Sequence, residues 1–448
     1  MTIRRIATTA RIMLTASIFL LAAHPTPAQQ PAAAKLDLTP VKPESVGFST
    51  ERLERLHALM QKEVDEKQFS GIVTLLARHG KVVDYRAYGV RDLATGAPMT
   101  KDTIFRDFSM TKPVTGVAMM ILYEQGKWLP SDPISKFLPE FANLKVFKGV
   151  DAAGKMILVD PDHAPTMREL MTHTAGFSYG NSGTVVDAMY KDQHVVESKN
   201  LQEMIDKLAA IPLLYQPGTK WIYSMSMDIE GYIVEKLSGQ SLPDFMRDQI
   251  FTPLGMRDAA FYVPDDKRGR FAMLYTAGPD GKLVVYPAAD LAACCGMRVF
   301  KEQPTKPSGG GGMVSTTEDF YRFAQMFLDH GELNGVRILA PSSIQLMDTN
   351  RLPESMLTSG YSIGTQVLRP GFGYGYNGAV EYDPQLADLP DGKGTYLWSG
   401  IAGTWFWVDP TNDVVFIGMF QRMTADTSPH LGYMSRALVY QALVDPAK

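Results

Sequence analysis

Cysteine is nearly absent from this 448-residue chain: there are two, Cys294 and Cys295, and they are adjacent. A framework of several disulfides is therefore excluded, and a bridge between neighbours needs a strained local backbone. Two small residues in a loop is the simpler reading. The eight histidines are scattered, with no His-Glu-x-x-His and no Cys/His spacing fit for zinc, so no metal centre is expected. No block of Lys and Arg occurs, and 44 basic residues face 48 acidic ones, which removes the electrostatic footprint of a nucleic-acid binder. No apolar run reaches the roughly 20 residues of a membrane-spanning helix, so a stable span is not expected either.

What is present starts with a leader. Arg4, Arg5 and Arg11 precede the apolar stretch Ile12 to Ala23, and Thr26-Pro27-Ala28 offers small residues for cleavage. Residues 1–28 read as a signal peptide of a periplasmic or secreted protein, and 29–44 as a flexible Pro/Ala-rich lead-in. Leu53, Leu56, Met60 and Val64 recur at helical spacing within Thr50 to Lys67. Ile72 to Arg78 and Val82 to Val90 flank His79-Gly80-Lys81 and predict a hairpin. A second helix is expected to start near Ser109 and continue through Val117, Met120 and Ile121. The middle, roughly Leu122 to Arg298, is helical and loop-rich with few clear strands. Gly309 to Gly312 lacks the Gly-Lys-Ser/Thr ending of a phosphate loop and reads as a turn. Ser315-Thr316-Thr317-Glu318 has the capping-box pattern ahead of the helical face Phe320, Phe323 and Phe327. Tyr396 to Trp398, Thr404 to Val408 and Val414 to Phe420 predict strands, and Leu431 to Leu443 a last helix. The expected class is α+β: an antiparallel sheet flanked by helices and built from both chain ends (45–121 and 299–448), with 122–298 as an inserted, mostly helical domain.

Ser109-Met110-Thr111-Lys112 is the most informative stretch for chemistry. Residues three apart on a helix share a face, and Pro113 is tolerated only near a helix start. Ser109 then lies at the N-terminal end, within the dipole field and beside free backbone N–H groups. A serine needs a base to act as a nucleophile, and a lysine whose charge is disfavoured can be that base. Ser-x-x-Lys alone arises by chance about once in a chain of this size, so it needs partners. Tyr223, in Trp221-Ile222-Tyr223-Ser224, can relay a proton, although one tyrosine among 19 is by default a core residue. Trp398-Ser399-Gly400 closes a β-rich run, where a strand edge can offer an N–H to an oxyanion hole and glycine permits close approach. By default it is an aromatic strand residue followed by a turn.

Together, Ser-x-x-Lys, a later Tyr-Ser segment and a late Trp-Ser-Gly resemble the serine β-lactamase and penicillin-binding-protein superfamily. Within it the chain looks most like the class C-related branch known as family VIII carboxylesterases. Leu170 to Gly176, Pro253 to Met256, the Gly309 run into Ser315, and Gly403 to Phe406 extend the likeness from about Pro43 to the C-terminus. The resemblance implies Ser109 as nucleophile, Lys112 as its activating partner and Tyr223 as second acid/base. It implies an oxyanion hole from the N–H groups of Ser109 and Ile401, a substrate-binding edge at Trp398, Ser399 and Gly400, and no cofactor. Two positions depart from the branch's β-lactamases. Met225 stands where they carry Asn, and Trp398 where they carry Lys. Losing that amide and that cation weakens the case for a charged β-lactam, and a Trp at the mouth of the site suits an apolar acyl or alcohol group.

The reading is thus an exported serine hydrolase of small-molecule carboxylic esters, with weak β-lactam hydrolysis as a side activity. A class C-like β-lactamase or D-amino-acid-specific peptidase is the alternative within the superfamily. A non-catalytic binder of cell-wall ligands is the alternative outside enzymes. Gly360-Tyr361-Ser362-Ile363-Gly364 matches the α/β-hydrolase elbow, but Arg369-Pro370-Gly371 follows where a helix is required, which counts against Ser362. His173 reads as structural.

Overall fold

The computed structural model describes residues 36–295, 300–357, 361–363, 366–423 and 430–447. The expected leader lies outside them. Among the described residues no helix is long and apolar enough to cross a membrane.

The predicted hairpin is Gly71–Arg78 (β1) with Lys81–Asp92 (β2). His79 and Gly80 between them both take left-handed φ, 54° and 66°, as a two-residue type I′ turn requires. Ala97–Pro98 (β3) extends that edge. The C-terminal part supplies Phe372–Tyr374 (β4), Ala379–Glu381 (β5), Thr395–Gly400 (β6), Thr404–Asp409 (β7) and Val414–Met419 (β8). All eight form one antiparallel sheet in the order β4-β5-β6-β7-β8-β1-β2-β3. The two chain ends join at β8 and β1, with Val73 opposite Met419 and Arg78 opposite Val414. This is the α+β sheet expected from sequence.

Helices cover both faces, as the twofold alternation along β7 makes visible. Trp405 Nε1 donates to Ser435 Oγ at 3.2 Å on the last helix, while the next residue, Phe406, places its ring 4.9 Å from that of Phe320. Thr50–Asp65 (α1) is capped by the Ser49 hydroxyl and buries Leu53, Leu56 and Met60. Thr111–Glu124 (α2) is buried continuously from Thr111 to Leu122, the signature of a helix enclosed on all sides. Ser226–Ser238 (α3) packs against α2; Thr317–Leu328 (α4) and Leu431–Tyr440 (α5) serve the two faces of the sheet.

The helix start expected near Ser109 is present: a 3₁₀ turn, Phe108–Met110, carries Ser109 and runs directly into α2. Two expectations are corrected. The capping box sits one residue later: the Thr316 hydroxyl accepts from Asp319 N, and the Asp319 carboxylate accepts from Thr316 N. Ser315 is released for a bond elsewhere. The middle segment, where few clear strands are expected, holds short hairpins, Val146–Val150 with Met156–Val159 and Tyr275–Ala277 with Leu283–Val285, too short for clear alternation. Finally, Cys294 and Cys295 end a helix, Ala288–Cys295, and are not in a loop; their side chains lie outside the described residues.

Candidate active site

The turn bearing Ser109 is held in an unfavourable backbone shape. Phe108 has φ 46°, rarely adopted by an aromatic residue. Its ring is buried in a satellite core with Leu274, Leu291, Ala402 and Met423, which supplies the packing that such strain needs. The preceding Asp107 ties the turn to the sheet: its carbonyl oxygen accepts from Thr404 Oγ1 at 2.9 Å and from Met110 N at 3.1 Å. The Asp107 carboxyl accepts from Ser315 Oγ at 2.7 Å, and burial pushes it up to about 8, so it is neutral near pH 7.

Lys112, three residues on and 1% exposed, reaches back along the first turn of α2. Its Nζ donates to Ser109 Oγ at 3.1 Å and to the Gly310 carbonyl at 2.6 Å. It lies 4.6 Å from the centre of the Tyr223 ring. The glycine run is therefore more than a turn. A Cβ at Gly309 would fall 2.2 Å from the Met227 carbonyl, and one at Gly310 would fall 2.8 Å from Asp228 Oδ2. Only glycine lets this loop come close enough to present a carbonyl to Lys112. Asp228, in the first turn of α3, fixes the loop by accepting from Ser308 Oγ and from Gly310 N at 3.3 Å.

Tyr223 donates to Ser109 Oγ at 2.8 Å. Its ring is wedged between those of His173, Tyr179 and Trp398, with centroids 4.9, 5.4 and 5.6 Å away. His173 makes its hydrogen bond to Ser224 Oγ (3.1 Å), which in turn meets Ser226 Oγ (2.8 Å). Burial, and then the Lys112 charge, hold the imidazole well below its ordinary value, so it is neutral. It braces the segment that carries Tyr223 and touches Ser109 through no hydrogen bond.

The end of β6 closes the site. A Cβ at Gly400 would lie 2.3 Å from the Asp107 carbonyl oxygen, so strand and turn can meet only because residue 400 is glycine. Ile401 follows, its side chain 47% exposed. Ser399, half-buried, pairs with Trp405 across the sheet. Trp398 is 2% exposed, packed between Tyr223 and Tyr374, so it is an inner wall and not the residue at the mouth. Its position opposite Phe406 on a covered face explains the difference. Met225, at the N-cap of α3, is buried as well. Ser362 lies within a short strand, Tyr361–Ile363, of a two-stranded hairpin, whereas an elbow needs a turn leading into a helix.

Ser109, Lys112 and Tyr223 thus meet at one oxygen although residues 109 and 223 are far apart in sequence. The sequence reading missed the Gly310 carbonyl, Asp228, Asp107 with Thr404, and a buried pair, Glu230 and Asn377. Only the glycine run and the Gly403 to Phe406 stretch, which contains Thr404, hinted at any of these.

Residues 56–441 match the family model described as Beta-lactamase. Esterase EstB of Burkholderia gladioli is 32% identical over 392 residues, covering 84% of this chain and 91% of EstB. Lovastatin esterase of Penicillium rubens is 27% identical over 378 residues, 81% of this chain and 91% of that protein. Among solved structures, EstCE1, a hydrolase with promiscuous acyltransferase activity, superposes with a TM-score of 0.72 at 27% identity, covering 87% of this chain and 99% of EstCE1. The chain belongs to the Beta-lactamase family and is a serine hydrolase of that fold.

Proposed function

We propose that this serine hydrolase is an exported esterase that cleaves small carboxylic esters through an acyl-enzyme on Ser109. The observation that carries the reading is the convergence of Lys112 Nζ (3.1 Å) and Tyr223 Oη (2.8 Å) on Ser109 Oγ. One of the two, deprotonated, takes the hydroxyl proton as Oγ bonds to the ester carbonyl carbon. The carbonyl oxygen becomes an oxyanion between the N–H groups of Ser109 and Ile401. Collapse expels the alcohol, which leaves with a proton from the Lys112–Tyr223 pair. Water then attacks the acyl-enzyme by the same steps in reverse and releases the acid.

Preference for esters over β-lactams is supported by the two departures. Buried Met225 and Trp398 replace an amide and a cation, leaving an aromatic wall and the exposed Ile401 side chain to meet substrate. The names of EstB and lovastatin esterase agree with this choice, and that of EstCE1 adds acyltransferase activity beside hydrolysis. Export rests on the sequence of residues 1–28.

The test is kcat/KM on p-nitrophenyl butyrate and on a chromogenic cephalosporin, with Ser109→Ala alongside. The ester should be strongly preferred and its turnover lost in the variant while the fold persists. Turnover retained by Ser109→Ala, or preference for the cephalosporin, would overturn the reading.

A further inference from the structure

Behind Lys112 lies a polar pair that neither the nucleophile nor the oxyanion hole uses. Asn377, on the turn between β4 and β5, donates from Nδ2 both to the Lys112 carbonyl oxygen at 3.1 Å and to Glu230 Oε2 at 2.6 Å. Its backbone is left-handed (φ 59°), and its own N–H donates to the Met171 carbonyl at 3.1 Å. Gly116, one turn along α2 from Lys112, makes the approach feasible: a Cβ there would fall 2.9 Å from Asn377 Cβ. Glu230 sits on α3, the helix that follows Tyr223, and is fully buried. Glu230 Oε1 and Asn377 Oδ1 have no hydrogen-bond partner. An apolar residue would fill the Glu230 position more stably than a carboxyl with one oxygen unsatisfied. Stability is therefore a poor reason for its presence.

The geometry points to Glu230 and Asn377 as positioning residues that bolt the first turn of α2 to α3, so that the Lys112 amine and the Tyr223 phenol meet together on Ser109 Oγ. This rests on the reading that Lys112 and Tyr223 activate Ser109. The charges that face Glu230 are Asp228 on its own helix, Lys112 from α2, and the phenols of Tyr374 and Tyr396 from the sheet. Burial foremost, with Asp228 adding to it, pushes the carboxyl up to about 8, while Asn377 and Lys112 draw it down. The bolt is thus uncharged at neutral pH. In more alkaline solution it becomes an anion buried behind Lys112, and the neutral hydrogen-bonded setting of Asn377 that holds the first turn of α2 is altered.

The experiment is the pH profile of kcat for p-nitrophenyl butyrate hydrolysis by the full chain, Glu230→Gln, Asn377→Ala and Lys112→Ala. Glu230→Gln keeps a neutral acceptor for Asn377, so kcat at pH 7 should stay within about twofold, while the ratio of rates at pH 9 and pH 7 should exceed that of the unaltered protein by about threefold or more. Asn377→Ala should lower kcat about tenfold with KM little changed, as a misplaced base does. Superposable profiles for Glu230→Gln and the unaltered protein, with Lys112→Ala inactive, would overturn the inference alone. If Glu230→Gln fails to fold, an unchanged kcat in Asn377→Ala overturns it instead. Full activity in Lys112→Ala would remove the underlying reading of the site.

Discussion

Tyr223→Phe separates the phenol's chemistry from its packing. The ring is held by His173, Tyr179 and Trp398 at centroid distances of 4.9, 5.4 and 5.6 Å, and phenylalanine preserves all three contacts. The hydroxyl's bond is to Ser109 Oγ, which keeps Lys112 Nζ at 3.1 Å as a partner, so no polar atom is stranded. The stability cost should be that of one net hydrogen bond, about 1 kcal/mol. The catalytic cost should be far larger. A positioned acid/base contributes about 100- to 10,000-fold, which corresponds to about 3–5 kcal/mol of barrier. Steady-state kcat and KM on p-nitrophenyl butyrate, with a thermal melt of the same preparation, test both halves. A kcat within tenfold of the unaltered protein, at unchanged melting temperature, would refute the argument. It would mean that Lys112 alone moves the proton and that Tyr223 only fills the wall.

Two further outcomes are expected. Thr404→Val keeps the side-chain shape but removes the 2.9 Å bond to the Asp107 carbonyl, so denaturant melts should show a loss of about 1–2 kcal/mol; kcat should fall several-fold as the turn before Ser109 loosens from β7, and an unchanged kcat would show that the turn is held by packing alone. Asp107→Asn probes pH. Burial raises the folded carboxyl from 3.8 to about 8, so the folded state binds the extra proton between those values and stability falls as pH rises through that window. The Asn variant should gain stability relative to the unaltered protein on going from pH 5 to pH 8 in melts at both pH values, and an equal difference at the two would disprove the buried neutral carboxyl.

Local patterns in this chain were legible where their physics is local. His79-Gly80 announces a hairpin because a two-residue turn needs two left-handed residues, and both are present with β-rich runs on either side. Ser109 and Lys112 share a face by helical spacing, and Pro113 places them at a helix start. The capping box was misread by one residue because Ser315 and Thr316 both fit a cap from sequence; the bond from Ser315 to Asp107, two residues before the nucleophile, leaves Thr316 as the cap. Trp398 was expected at the mouth because its neighbours on the sheet were not known; opposite Phe406 and between Tyr223 and Tyr374 it can only be a wall.

By itself, then, the sequence determined the antiparallel sheet built from both chain ends, the helix start bearing Ser109 and Lys112, and Tyr223 as a candidate partner. Those rest on side-chain periodicity, turn chemistry and spacing within a few residues. The tertiary structure alone decided what surrounds Lys112: the carbonyl of Gly310 and the amide of Asn377 reach it from separate stretches of chain, and the carboxyl of Glu230 from a third accepts from that amide. Such contacts depend on close approach at Gly116, Gly309 and Gly310, and on burial that keeps Glu230 neutral. Both are properties of packing, and neither has a period along the chain that could reveal it.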